Sequence, residues 1–135
     1  MKLGEWSMKY GFGKTVDKSF ADTVEAVTEA LRQEGFGVLT DIDVQATLKA
    51  KLGEDMPPYR ILGACNPPLA HQALEAEPSI GLLLPCNVVV REDAEGRVHV
   101  EVMDPRAVLE LVDNPGVAAL ADEVRGRLER VLDAL

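Results

Sequence analysis

The sequence predicts an α+β fold, a two-layer sandwich in which helices pack on one face of a mainly antiparallel sheet of about five strands. Three observations predict it. Two apolar stretches, Ile80 to Arg91 and Arg97 to Met103, flank the polar loop Glu92-Asp93-Ala94-Glu95-Gly96 and read as an antiparallel hairpin. Amphipathic stripes at helical spacing lie between the strand signals, the longest being Val117, Leu120, Val124, Leu128, Val131 and Leu135. Pro85 interrupts the most apolar stretch, which argues against a purely parallel, doubly wound sheet.

The expected order is β-α-β-α-β-α-β-β-α-α. A first strand covers Ser7 to Val16, with Gly11 and Gly13 marking a bend or bulge. Ser19, with Asp22 three residues on, starts a helix whose stripe is Phe20, Val24, Val27 and Leu31, and Gly35 ends it. Gly37 to Ile42 is a short strand. Asp43 caps a second helix that runs through Leu52 and stops at Gly53. After the turn Asp55-Met56-Pro57-Pro58, Tyr59 to Ala64 is the third strand. Asn66 and Pro67 supply a cap and a first-turn proline for a short helix ending near Glu77-Pro78; Asp104-Pro105 and Asn114-Pro115 repeat the device.

With residues 92–96 as the loop, Arg91 pairs with Arg97, Val90 with Val98, Val88 with Val100 and Cys86 with Val102. Cys86 then shares the core face with the valines, while Asn87 points the other way beside Glu101 and near His99. Leu83 and Val89 would lie on that outer face, and a second apolar face calls for cover by the chain or by a subunit. A homodimer is therefore the expected partner arrangement.

At 135 residues the chain fits one domain, residues 1–135, able to bury a core without metal or disulfide staples. The start, Met1-Lys2-Leu3-Gly4-Glu5-Trp6, has no apolar core of a signal peptide, and the run Ile80 to Pro85 is too short to span a bilayer. The expected location is the cytoplasm, with thiols reduced. A net charge of −9 argues against nucleic acid or an anionic membrane as partner. The charge is uneven: Lys2, Lys9, Lys14 and Lys18 against Glu5 and Asp17 make residues 1–18 net +2 and the remainder −11. Such lysines fit either a contact with an acidic surface or a solvated edge strand.

The chemical question is carried by two cysteines, Cys65 in Gly63-Ala64-Cys65-Asn66-Pro67-Pro68 and Cys86 in Leu84-Pro85-Cys86-Asn87-Val88. Cys65 ends a strand just before a helix, where backbone N–H groups and the helix dipole favour a thiolate. If the two strands are neighbours the thiols can meet, as a redox pair or as half of a tetrahedral soft-metal site completed by His71, His99, Asp104 or a second subunit. His71, one turn into the following helix, is placed to activate Cys65 or is a plain surface residue. Gly13-Lys14-Thr15 is not a phosphate-binding loop, because Met8 occupies the first glycine position of that motif and no helix starts after Thr15. Asp41 and Asp43 look like a carboxylate pair, but Asp43 already serves as a cap.

The blocks Ile42-Asp43-Val44-Gln45-Ala46-Thr47-Leu48, Leu62-Gly63-Ala64-Cys65-Asn66-Pro67 and Leu83-Leu84-Pro85-Cys86-Asn87-Val88 resemble the family catalogued as domain of unknown function 302. The resemblance runs from the first strand to Asp104-Pro105. It implies a compact α+β domain, often a stand-alone bacterial or archaeal protein, with no established reaction. It singles out Cys65, Asn66, Pro67, Pro85, Cys86 and Asn87 and leaves out His71.

Three readings of function follow. The first is a small-ligand or soft-metal module lined by Cys65, Asn66, Cys86 and Asn87. The second is a thiol redox protein or enzyme in which Cys65 reacts and Cys86 resolves. The third is a homo-oligomeric interaction domain whose cysteines only pack.

Overall fold

Among the described residues six strands form one antiparallel sheet in the order β1-β2-β6-β5-β4-β3. The structure is a computed structural model and describes residues 4–135, so Lys2 and the first three residues of the segment read for a signal peptide lie outside it. The strands are β1 (Glu5–Ser7), β2 (Gly11–Val16), β3 (Gly37–Asp43), β4 (Tyr59–Cys65), β5 (Cys86–Glu92) and β6 (Val98–Met103). The helices that accompany them are α1 (Phe20–Gln33), α2 (Val44–Leu52), α3 (Pro67–Ala76), α4 (Pro105–Leu109) and α5 (Pro115–Asp133), with 3₁₀ turns at Pro78–Leu83 and Glu110–Val112.

Period-two alternation explains the main core. Val88, Val90, Val98, Val100 and Val102 all point to one face, where they meet Val27 and Leu31 of α1 and Leu128 and Val131 of α5. A second apolar cluster joins Ala73 of α3, Ile80, Leu109 of α4, and Val117 and Ala121 of α5. Helix α5 is long enough to serve both: its first half belongs to the second cluster and its last half lies on the sheet. The two-layer α+β sandwich expected from the sequence is the architecture found.

The caps are those the sequence spells. Ser19 Oγ accepts from Asp22 N (3.1 Å), Asp43 Oδ1 from Ala46 N (2.9 Å), Asn66 Oδ1 from Leu69 N (3.2 Å), Asp104 Oδ1 from Arg106 N (2.9 Å) and Asn114 Oδ1 from Gly116 N (3.0 Å). Gly35, at φ +84°, carries the left-handed turn that ends α1. Asp41 is occupied too, gripped by Arg60 through two bonds of 2.8 and 2.7 Å.

Three expectations are corrected. The first strand is a hairpin, β1 and β2, reversing at Met8-Lys9-Tyr10 where Met8 N donates to Gly11 O (2.7 Å), so the sheet has six strands and not about five. Its glycines serve close approach rather than a bulge, since a Cβ on Gly11 would stand 2.8 Å from Val102 O. The stretch read as strand from Ile80 does not start until Cys86. Pro78 opens a 3₁₀ turn through Leu83, which buries Ile80 alone, and the Leu84–Pro85 peptide is cis.

The third correction is the β5–β6 register, which pairs Val90 with Val100 and Val88 with Val102, two residues from the expected pairing. Asp93 causes the shift: its Oδ1 accepts from Glu95 N and Arg97 N (both 2.9 Å), closing the loop one residue later. A shift of two keeps every side chain on its face. Of the lysines in the first hairpin, Lys9 is exposed and Lys14 is not free. Lys14 Nζ donates to Leu132 O and Leu135 O (2.9 Å each), so it caps the C-terminal end of α5 instead of an outside surface.

A cleft bordered by the two cysteines and Asn66

Strands β4 and β5 are neighbours, with Ala64 opposite Cys86. Cys65 is the last residue of β4, and Asn66 turns the chain into α3. Cys86 begins β5 directly after the cis proline. Both cysteines and Asn66 therefore gather at one end of the sheet, where they border a cleft of about 320 Å³. Phe36 and Ala64 contribute from the main core, Leu69 and Ala73 from α3, and Leu120 and Val124 from α5. The cleft is thus the gap left where the two apolar clusters meet. Leu39 and Leu74, two of the chain's exposed large apolar residues, also line it.

The three polar groups of the cleft are not equivalent. Cys86 is buried, and burial pushes its thiol up to about 11, with the neighbouring Cys65 adding to the rise. Cys65 is half-buried and is the more accessible thiol; both are free. Asn66 is buried and packed against the end of α1. Its oxygen caps α3, and its amide nitrogen lies so near Gly35 that a Cβ there would stand 3.0 Å away. The C-terminal end of α1 is fixed in turn by Arg127, which donates to Glu34 O (2.8 Å).

Asn87 does not join them. It points to the opposite face of the sheet, is exposed, and borders a separate depression with Tyr59, Val89 and Glu101. The expected alternation, with Asn87 on the side of Glu101, is what separates it from Cys86. His71 turns to Glu75 (2.8 Å) with both side chains largely exposed, and so does not serve Cys65. His99 lies on β6 at the far, hairpin end of the sheet, between Asp93 Oδ2 (2.8 Å) and Thr15 Oγ1 (2.9 Å). Asp104 is engaged by Arg125. Among the described residues no group of three or more His, Cys, Asp or Glu side chains is placed to hold a metal ion, so the two thiols lack a third ligand of this chain.

Sequence reasoning located Cys65, Asn66 and Cys86 but missed the apolar wall. Its residues come from α1's exit, α3, α5 and the 3₁₀ turn, and their periodicity says only that they are buried. The one available signal was the surplus of leucines off the stripes, such as Leu39 and Leu74.

The fold and site define a class: a small antiparallel α+β sandwich holding an apolar cleft rimmed by two thiols and a capping asparagine. The chain belongs to the family described as domain of unknown function DUF302, which it matches over residues 12–135. It is similar to the crystal structure of an uncharacterised conserved DUF302 protein from Bacillus stearothermophilus, with a TM-score of 0.84 and 29% sequence identity over 98% of each chain. No protein of curated function matches it.

Proposed function

We propose that this domain binds a small, mainly apolar molecule in the cleft, with one polar or soft group of the ligand directed to Cys65 and Asn66. The observation that carries the reading is a space of about 320 Å³ walled by side chains from two separate clusters and bordered by only a few polar groups. Ligand pockets combine an apolar wall with a small number of placed polar groups in this way. A soft metal is the lesser form of the same reading, and it would draw further ligands from the bound molecule or a second subunit.

The test is binding of the dye anilinonaphthalene sulfonate to native protein, compared with Ala70→Trp, which places an indole in the cleft from α3. Saturable fluorescence enhancement that drops at least tenfold in A70W, with unchanged circular dichroism, supports the cleft. Equal binding by both proteins, or none by either, overturns it.

A thiol-redox reading is favoured by one observation, the greater access of Cys65 beside a buried second thiol. It predicts that one iodoacetamide adduct forms at Cys65 in native protein near neutral pH. It also predicts that a mild oxidant removes two hydrogens from the chain by joining Cys65 and Cys86. An intact-mass spectrum without that loss eliminates it. The cytoplasm remains the proposed location; no helix among the described residues is long and apolar enough to cross a membrane.

A further inference from the structure

The sheet face turned away from α1 and α5 is independent of the cleft. Ile61 and Val89 are direct partners at its centre, on the adjacent strands β4 and β5, and Trp6 and Tyr59 lie on the same face. None of these four side chains is fully buried.

The charge of this face differs from that of the molecule. The chain carries −9 in all, yet the strand positions facing this side hold one carboxylate, Glu101, and one guanidinium, Arg91. These two are bound to each other at 2.7 Å, and the second oxygen of Glu101 accepts from Trp6 Nε1 at 3.3 Å. The ring nitrogens of His99 are taken up by Thr15 and Asp93. The excess negative charge therefore sits on helices, loops and the other face.

We propose that this face is covered by the same face of a second copy of the chain, forming a sheet-on-sheet dimer about a two-fold axis. Two copies of an acidic protein repel over most of their surfaces, and this face is where two copies approach without like charges opposed. A two-fold axis sets the Ile61–Val89 centre of one copy against that of the other, at the ~10 Å spacing of stacked sheets. Six strands about 4.8 Å apart and roughly 20 Å long give a footprint of roughly 500 Å² in projection. Side-chain relief raises the accessible area toward the ~800 Å² per partner of a stable interface. The depression of about 330 Å³ bordered by Tyr10, Tyr59 and Asn87 is a recess for a side chain of the facing copy.

The experiment is sedimentation velocity across a dilution series, read together with emission from Trp6, the chain's single tryptophan. The expected result for the unaltered protein is a dimer at high micromolar concentration that dissociates on dilution, with Trp6 emission moving to the red over the same range. Val89→Glu is expected to weaken association at least a hundredfold. Leu111→Glu, at a residue 78% exposed outside the sheet, is expected to leave it unchanged. A monomer at every concentration, a V89E protein that stays dimeric, or a dissociation that leaves Trp6 emission unmoved overturns the proposal. The Trp6 readout needs no variant, so the proposal stays testable if V89E fails to fold.

Discussion

At one end of β5, Glu92 runs into Asp93, whose carboxylate accepts two backbone N–H groups of its own loop and reaches the ring of His99. At the other end, Cys86 follows a cis proline and its side chain borders an apolar cleft. The strand is thus pinned at its hairpin by short side-chain bonds, whereas at its start, beyond the backbone pairing with β4, its buried side chain meets a mainly apolar lining. The pinned end fixes the register of β5 against β6. That leaves the start of β5 free to border a space that close packing would otherwise close. A site for an apolar ligand belongs at the end whose polar groups are few.

The comparison can be broken first at Ile80, which is 1% exposed and anchors the 3₁₀ turn leading into Cys86. Ile80→Ala is expected to cost about 2–5 kcal/mol in urea unfolding, the range for large-to-small core changes. A loss under about 1 kcal/mol would show that packing does not hold this end.

Alkaline pH gives the next largest effect. The Cys86 thiol, near 9 when unfolded and about 11 when folded, keeps its proton in the native state while the unfolded chain loses it. Stability is therefore complete below pH 9 and declines as pH rises to about 11, by on the order of 2–3 kcal/mol. Denaturant titrations at stepped pH should show that slope in the wild type and its absence in Cys86→Ala. A slope that survives in C86A assigns it to other groups.

Asn66→Ala removes a helix cap and should lower stability by about 1 kcal/mol. It should also weaken dye binding in the cleft, whereas a change in stability alone would make Asn66 purely a cap. The smallest effect is at the pinned end. The Asp93 carboxyl is held at about 2 by His99 and by the N–H groups of Arg97 and Glu95, against an ordinary value of 3.8. The bonds contribute stability above about pH 4, and it is lost as pH falls toward 2. Thermal unfolding of wild type and Asp93→Ala should converge over that interval, and a gap that persists at pH 2 would contradict the assignment.

Much of this was legible in the residues. The cap-plus-proline pairs Asn66-Pro67, Asp104-Pro105 and Asn114-Pro115 begin helices because side-chain acceptors and a fixed φ act within three or four residues. The facing of Val88, Val90 and Cys86 was legible because parity survives a register shift of two. The shift was not legible, since it depends on which loop residue closes the turn, and Asp93 does so partly through a bond to a histidine on the next strand. Nor was the 3₁₀ turn at Pro78–Leu83, because a short apolar run has the same composition as a strand or as a buried turn. The cleft was out of reach for a further reason: it is bounded by residues as far apart as Phe36 and Val124.

The strand order also sets a sequence of events. Strands β3 to β6 follow one another in the chain and in the sheet, so each can pair with the strand made just before it. Strand β2 must wait, because its partner is β6, with Phe12 beside Val102, about ninety residues later. Closing that long loop is slow relative to the local pairings. Of the strands in this sheet, the β1–β2 hairpin is accordingly made before the others and docks after them. Until it arrives, the edge of β6 stands open to any other strand.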